Sequence, residues 1–318
     1  MSTSGTEADA ALDRKCPIID GRHEFQRVSA RSSDVGGIPV ARLLPHRQRR
    51  LIGAWCFLDH AGPASFDDGQ PGLIVGPHPH TCLQTFTWMI AGEVLHRDSL
   101  GCEQIIRPGQ VNLMTAGHGI SHIEETVPGC NTLHAAQLWI ALPHAERFTA
   151  PRFDHYPELP EFGLGKLAAT LLVGEYAGFR APTLSFSPLI AMDLQWRGSG
   201  QNALELRPEF EYGILPLEGG GLHLDGSALA IDELAYLGQQ RDSIRLDYSG
   251  SGRALLIGGE PLDAEITIWW NFVAHSKADI ERAQKDWIGG DPRFGDIRDA
   301  RGRRLEPPPI PWRRESGD

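Results

Sequence analysis

The chain has 318 residues, of which 41% are hydrophobic and 22% are charged, and its formal net charge at pH 7 is −11. This length leaves room for two domains of about 150 residues, each able to bury a core. No run of about 18 apolar residues occurs, which excludes a membrane-spanning helix. Phosphate contacts need clusters of Lys and Arg, so the acidic balance argues against nucleic-acid binding. The composition indicates a soluble globular protein without a membrane or nucleic-acid partner.

The cysteines and the opening segment bear on the cellular compartment. Five cysteines are present, an odd number without any CxxC pair: Cys16, Cys56, Cys82, Cys102 and Cys130. This usage favours free thiols in a reducing compartment over a disulfide framework, so we expect a cytoplasmic protein. Residues 1–21 lack a long apolar stretch and are predicted to be a disordered or extended lead rather than a secretory signal.

In chain order, the patterns predict two β-rich blocks, a helix and a tail. Short apolar runs rich in β-branched and aromatic residues are separated by Gly and Pro, which is typical of strands and turns. The two blocks have similar length and strand density, which indicates a duplicated β-sandwich or barrel. The predicted divisions are an N-terminal domain at 22–142, a linker at 143–163, a C-terminal domain at 164–275, a helix at 276–290 and an extended tail at 291–318.

The predicted helix has a clear start and a clear buried face. Ser276 is placed to cap its N-terminus, with Asp279 three residues later. Ile280, Ala283, Gln284 and Trp287 fall on one side at helical spacing, so we expect the helix to pack across a domain surface.

Two short motifs point to a metal site. The run GPHPHTC places His78 and His80 two residues apart, and GISHIEE places His122 and Glu124 at the same spacing. Residues i and i+2 of a strand point the same way, so two such strands facing each other would bring these four side chains together. Three imidazoles and a carboxylate suit a divalent first-row metal and leave open positions, as a catalytic site requires. An HxH pair by itself is more often exposed or hydrogen-bonded than metal-bound.

The order HPH, HRDSLG, RPGQ, MTAG and H-x-E over residues 78–124 resembles the pirin family of the cupin superfamily, and LDHAGP at 58–63 and LIGGEPL at 256–262 do so as well. The resemblance implies an all-β fold of two stacked cupin barrels (double-stranded β-helix, or jelly-roll) with a short C-terminal helix. It also implies one metal per chain in the N-terminal barrel, with ligands at His78, His80, His122 and Glu124. Iron(II) is the expected metal, with Mn, Ni, Cu, Co or Zn as alternatives.

The chain departs from the family pattern beside the ligands. HPHTCLQT stands where family members commonly read HPHRGFET, and His118 follows MTAG in place of Arg. By strand parity we expect Cys82 and Gln84 to share the face of the ligands, where Gln84 can hydrogen-bond but carry no charge. His118 and His60 are further candidates for the pocket. Three other histidines (His96, His134 and His223) and Trp269 and Trp270 are expected to be structural.

The resemblance implies a quercetin 2,3-dioxygenase-like activity, with dioxygen and a flavonol as substrates and release of carbon monoxide. In that interpretation Glu124 is catalytic and accepts the proton of the flavonol 3-hydroxyl group. Because the ligating imidazoles must be neutral, metal retention is expected to weaken as the pH falls toward about 6. The alternative is a metal-dependent, redox-sensitive regulatory module that binds a protein partner without turnover. A cupin isomerase or another small-molecule enzyme also stays open, because a fold does not fix a function.

Overall fold

The computed structural model describes residues 18–19, 22–67, 72–297 and 303–312, and the fold is almost entirely β. Three short strands come first: β1 (Ile18–Ile19), β2 (Arg22–His23) and β3 (Gln26–Ser29). Most of the predicted lead, at 1–21, lies outside the described residues, but β1 pairs with β2 in a small antiparallel sheet. The all-β prediction with one C-terminal helix is confirmed for the described part of the chain.

The N-terminal domain is a barrel made of two antiparallel sheets. Its strands are β4 (Arg31–Val35), β5 (Ile38–Leu44), β6 (Trp55–Ser65), β7 (Ile74–His80), β8 (Leu83–Gly92), β9 (Val94–Asp98), β10 (Glu103–Ile106), β11 (Val111–Thr115), β12 (Ile120–Thr126), β13 (Thr132–Ala141) and β14 (Arg152–Tyr156). One sheet has the order β10-β9-β12-β7, and the other has the order β14-β11-β8-β13-β6-β5-β4. Strands β8 and β13 are buried along most of their length, because one face lines the barrel interior and the other packs on the second domain.

The C-terminal domain repeats this architecture. Its strands are β15 (Glu161–Leu164), β16 (Leu167–Val173), β17 (Glu175–Tyr176), β18 (Phe179–Arg180), β19 (Leu189–Arg197), β20 (Gly200–Glu205), β21 (Glu211–Gly219), β22 (Leu222–Leu224), β23 (Ser227–Leu229), β24 (Glu233–Gly238), β25 (Ser243–Tyr248) and β26 (Ser251–Gly259). The larger sheet has the order β15-β16-β19-β26-β21-β24-β3, and the smaller one has the order β20-β25-β22-β23. In β25 buried and exposed residues alternate, as expected for a strand with one face on the core. The interior of this barrel is filled by its own cluster of apolar side chains.

The chain then returns to the N-terminal barrel. Strands β27 (Thr267–Trp269) and β28 (Phe272–Ala274) form a hairpin, followed by helix α1 (Lys277–Gly289) and a 3-10 turn at Pro292–Phe294. The Ser276 hydroxyl accepts a hydrogen bond from the backbone N of Asp279 at 3.1 Å, and Gly290 ends the helix in a left-handed conformation. The predicted face of Ile280, Ala283, Gln284 and Trp287 is the buried one. Among the described residues, no helix is long and apolar enough to cross a membrane.

Three segments depart from the predicted division into domains. Strand β3 pairs with β24, so residues 26–29 belong to the C-terminal sheet although they precede the N-terminal barrel. The predicted linker at 143–163 is not purely a linker, because it contributes β14 to one domain and β15 to the other. The part of the predicted tail that the structure describes at 303–312 has no regular secondary structure but packs on α1. Hydrogen bonds to residues distant in sequence decide which domain each of these segments joins, and local composition does not predict such partners.

The two barrels share a buried apolar interface with a polar chain inside it. Trp55 of β6 donates its indole N–H to the carbonyl of Gly258 at 3.0 Å. His60 Nδ1 lies 2.6 Å from Asp232 Oδ1, and the Nε2 atoms of His60 and His134 are 2.7 Å apart. His134 Nδ1 lies 3.0 Å from Glu218 Oε1. His60 thus faces Asp232 and His134 faces Glu218, so two acids of the C-terminal domain hold the histidine pair across the interface.

We expect His134→Gln to lower the free energy of unfolding by about 1 to 3 kcal/mol, because the shorter amide leaves the buried Nε2 of His60 without its partner. Urea unfolding followed by circular dichroism measures this change. His223→Gln is the matched control, because His223 is half-buried in β22 of the smaller C-terminal sheet. Its stability should stay within about 0.5 kcal/mol of that of the natural protein. Equal stability of both variants would contradict a structural role for the histidine pair.

Candidate metal centre

Three histidines come together inside the N-terminal barrel. Strand β7 carries His78 and His80, and β12 carries His122, which lies directly opposite His78 in the antiparallel register. Alternate side chains of β7 point the same way, so its two imidazoles face the side on which His122 arrives. One ring nitrogen from each of the three lies within 4.8 Å of the other two, and all three residues are buried. The convergence that the HxH and HxE spacing predicted is found for these histidines.

Hydrogen bonds set the tautomer of the two histidines on β7. His78 Nδ1 lies 2.9 Å from the carbonyl oxygen of Gly76, and His80 Nδ1 lies 2.9 Å from the carbonyl oxygen of Asn271. A carbonyl oxygen only accepts, so both Nδ1 atoms carry the hydrogen. The Nε2 atoms are therefore left with lone pairs, as metal ligands require.

His122 is oriented by a chain of side chains instead. Its Nδ1 lies 3.3 Å from His96 Nδ1, and His96 Nε2 lies 3.1 Å from Asp98 Oδ2. Asp98 accepts further hydrogen bonds from the backbone N–H groups of Leu100 and Cys102, which fix its position. His96 thus donates to Asp98 and accepts from His122, which leaves His122 Nε2 with a lone pair as well.

The donor set fits a divalent metal ion. His80 Nε2 and His122 Nε2 are 3.1 Å apart, so two lone pairs would repel each other without a cation or proton between them. Burial lowers the pKa of His78 to about 4 and holds those of His80 and His122 well below their ordinary value. The three imidazoles are consequently neutral at physiological pH and available as nitrogen ligands for a first-row metal.

Glu124 lies in the wall of the same cavity. A register shift between β12 and β7 separates His122 from Glu124, which pairs with Val75 on one side and with His96 on the other. Its carboxylate is outside the group of ligand atoms within 4.8 Å of one another. Burial raises the pKa of Glu124, and the neighbouring His96 opposes that rise. Ligation by Glu124 therefore stays a prediction, while a carboxyl group facing the histidine cavity is a feature of the structure.

The cavity has a volume of about 340 Å³, in the range of small-molecule sites. Close to the histidines its wall is aromatic: Trp139 stacks on Phe57 with ring centroids 4.1 Å apart and meets His80 edge to face at 5.1 Å. Trp270 and Asn271, from the turn between β27 and β28, complete this end.

A band of polar side chains crosses the cavity wall two residues along the strands from Phe57 and Trp139. Thr87, Gln137, Asp59 and Arg42 lie opposite one another on the neighbouring strands β8, β13, β6 and β5. The Thr87 hydroxyl donates to Gln137 Oε1 at 2.7 Å, and Arg42 donates to both oxygens of Asp59 at 2.8 and 2.6 Å. Beyond the band the lining is apolar, with residues such as Ile38, Met89 and Leu133. The cavity can therefore hold a largely apolar ligand that carries polar groups at defined positions.

Two candidates from the sequence, Cys82 and Gln84, do not face this cavity. Cys82 adopts φ = 58° in the turn between β7 and β8, which belong to different sheets, so strand parity does not continue across it. Its thiol lies in a small separate cleft, and burial raises its pKa to about 12. Gln84 is buried and donates to the Thr115 hydroxyl at 3.0 Å, while Thr85 and Thr87 line the cavity.

The other two candidates also lie outside the cavity. His118 is half-buried in the turn before β12, where its backbone carbonyl accepts a hydrogen bond from Arg293 at 2.6 Å. His60 points to the domain interface, because its neighbours Asp59 and Ala61 on β6 take the cavity side. His96, expected from the sequence to be structural, and Asp98 and Asn271, which the sequence did not single out, orient the candidate ligands. His96 and Asp98 show the same i, i+2 spacing as the HxH pair, so that pattern could have found them.

Two cupin barrels, with a histidine cluster in the first and none found among the described residues of the second, define a bicupin with one candidate metal centre. The chain belongs to the pirin family. Residues 37–140 match the family model for pirin, and residues 191–295 match that for the pirin C-terminal cupin domain.

Relatives agree with this assignment over nearly the whole chain. A Pseudomonas aeruginosa protein named "Putative quercetin 2,3-dioxygenase" is 56% identical over 98% of this chain and 99% of its own. A pirin-like protein of Caulobacter vibrioides is 35% identical over 84% of this chain and 94% of its own. The crystal structure of a quercetin 2,3-dioxygenase from Acinetobacter baumannii superposes with a TM-score of 0.89 at 48% identity, covering 92% of this chain and 97% of that one.

We expect the protein reconstituted with iron(II) to hold about one metal ion per chain. His80→Ala should weaken metal binding by more than about 100-fold, since even residues that only orient ligands are worth 10- to 100-fold. Metal analysis after gel filtration measures the stoichiometry. His223→Ala, in the second barrel, is the control and should leave it unchanged, whereas equal loss in both variants would contradict the assignment.

Metal retention should extend to lower pH than ordinary histidines allow. The pKa of His78 lies near 4 in the folded chain, so protons compete with the metal well below pH 6. The unfolded chain takes up protons near pH 6.5, so the metal-free protein should lose stability as the pH falls from about 6.5 to about 4. Metal content after dialysis at about pH 7.5, 6 and 5, with circular dichroism as a check on folding, tests the first statement, and half-release near pH 6.5 from a folded chain would refute it. Urea unfolding of the metal-free protein between about pH 6.5 and 4 tests the second, and constant stability over that range would refute it.

Proposed function

We propose that this chain is a metal-dependent dioxygenase that opens the ring of quercetin or a related flavonol. The observation that carries the proposal is the set of three neutral, converging imidazole nitrogens with a carboxyl group in the wall of the same cavity. Relatives named as quercetin 2,3-dioxygenases support the choice of substrate class. A divalent metal held by His78, His80 and His122, with Glu124 as the fourth ligand, would make a flavonol hydroxyl more acidic and leave positions for dioxygen.

Glu124 is the proposed general base. Burial raises its pKa, so the carboxylate binds a proton more readily than an exposed glutamate does. It accepts the proton of the 3-hydroxyl group, and the flavonolate then consumes one dioxygen and releases one carbon monoxide as its ring opens. Within the part of the chain that the structure describes, no hydrogen bond to the Glu124 carboxylate is found, so the carboxylate is free to meet the substrate.

The remainder of the cavity would orient a flat, polyphenolic ligand. Phe57 and Trp139 offer aromatic surface next to the histidines, where planar rings pack well. Gln137 and the Arg42–Asp59 pair present donors and acceptors to hydroxyl groups further from the metal. The apolar wall keeps bulk water away from the reacting atoms, which strengthens these polar contacts.

The decisive experiment is anaerobic reconstitution with iron(II), followed by oxygen uptake and carbon monoxide detection with quercetin and a panel of flavonols. At matched metal occupancy, Glu124→Gln should still bind flavonol but lose about 100-fold or more in turnover, the usual scale for a general base. The amide keeps the size and an oxygen donor and removes only the ionisable group.

Glu125→Gln is the matched control for this test. Glu125 is the next residue of β12, is buried and pairs with Arg97 at 2.8 Å. Its variant should retain turnover at the same metal occupancy. Unchanged turnover in Glu124→Gln would exclude Glu124 as the base. Negligible oxygen uptake by the natural protein with every flavonol would contradict the dioxygenase proposal and favour a metal-dependent binding module.

A further inference from the structure

Residues 303–312, here called the C-terminal strap, lie against the strand that carries two of the candidate ligands. The backbone N–H of Leu305 donates to the carbonyl oxygen of Pro77 at 2.8 Å, directly before His78. The chain approaches so closely that a Cβ atom on Gly76 would lie 2.1 Å from the carbonyl oxygen of Arg303. Glycine at position 76 therefore permits this contact, while its own carbonyl orients His78.

Helix α1 holds the strap in place. Trp287 donates its indole N–H to the carbonyl of Leu305 at 2.9 Å, and Gln284 donates to the carbonyl of Pro308 at 3.1 Å. Trp312 at the far end donates to Glu281 at 3.0 Å. Residues 281, 284 and 287 are three apart and lie along one side of the helix. The three prolines at 307–309 favour an extended conformation before docking, which reduces the entropy lost on binding.

The side chain of Leu305 has a different role from these anchors. It enters the wall of the histidine cavity and packs against the apolar cluster at the end away from the metal centre. Trp312 packs instead on the cluster beneath α1. The strap also lies beyond residue 295, where the match to the family model for the C-terminal domain ends. Leu305 is thus a cavity wall residue supplied by a segment outside both matched domains.

We propose that Leu305 is a specificity-determining residue that limits the size of the ligand able to reach the metal centre. This proposal rests on the metal site of the proposed function and does not depend on which compound is the natural substrate. A small ligand held at the histidines would not reach Leu305, whereas a planar ligand that extends from the histidines along the cavity would share space with its isobutyl group. Hydrophobic walls of this kind discriminate by about 10- to 200-fold.

The test uses the full chain loaded with cobalt(II), whose visible absorption reports ligands at the metal without any turnover. Azide is the small probe and 4-nitrocatechol is the bulky one. Leu305→Ala should tighten 4-nitrocatechol binding by about tenfold and leave azide unchanged, and Leu305→Trp should weaken 4-nitrocatechol binding by about tenfold. Ile310→Ala is the matched control, because it shortens an apolar side chain of the same strap outside the cavity lining.

The possible results separate this inference from the proposed function. If Leu305→Ala and Ile310→Ala both match the natural protein with both probes, Leu305 does not limit access and the inference fails while the metal site stands. Equal changes with azide and 4-nitrocatechol would also overturn it, because they would indicate general damage to the centre. If cobalt does not enter the natural protein, the metal site and this inference fall together.

Discussion

Three imidazole lone pairs lie together in a buried part of a largely apolar cavity, and this arrangement is unfavourable unless a cation or a proton occupies the space between them. The surrounding structure is built to maintain it. Each ring is fixed by an acceptor on its other nitrogen: the Gly76 carbonyl, the Asn271 carbonyl, and His96 backed by Asp98. Two of these acceptors are close in sequence to the strands that bear the ligands, but Asn271 arrives from 191 residues away.

The sequence could predict what short-range geometry determines. Strand alternation, a local rule, was sufficient to put His78 and His80 on one face of their strand, whereas the approach of His122 depends on the pairing of β12 with β7. The helix was predicted with its cap and its buried face because its pattern is also local. The prediction that Cys82 shares the face of the histidines was wrong. Cys82 has a left-handed conformation and takes the chain from one sheet to the other, so the alternation of side chains along β7 ends there. Asn271 and Leu305 could not be found, since only the folded chain brings them to the cavity.

The two barrels are interlocked by their termini. Strand β3 precedes the first barrel yet pairs in the sheet of the second, while β28 follows the second barrel yet contacts β7 of the first and carries α1 on its other side. The acid–histidine–histidine–acid chain at the interface adds directional contacts to the apolar seam. Exchanged segments as well as buried apolar area therefore hold the two domains together.

The dependence of His80 on the carbonyl of Asn271 has a consequence for biosynthesis. Domains generally fold in order as the chain leaves the ribosome, N-terminal first. When the first barrel emerges, it carries all three histidines, but it lacks the Asn271 carbonyl that accepts from His80 and the part of the cavity wall formed by Trp270, Asn271 and Leu305. The centre is completed only after the second barrel has been translated and the chain has doubled back. Assembly of the candidate centre is therefore coupled to synthesis of the chain at least as far as Asn271, and a product terminated earlier would carry the three histidines without the carbonyl that orients His80.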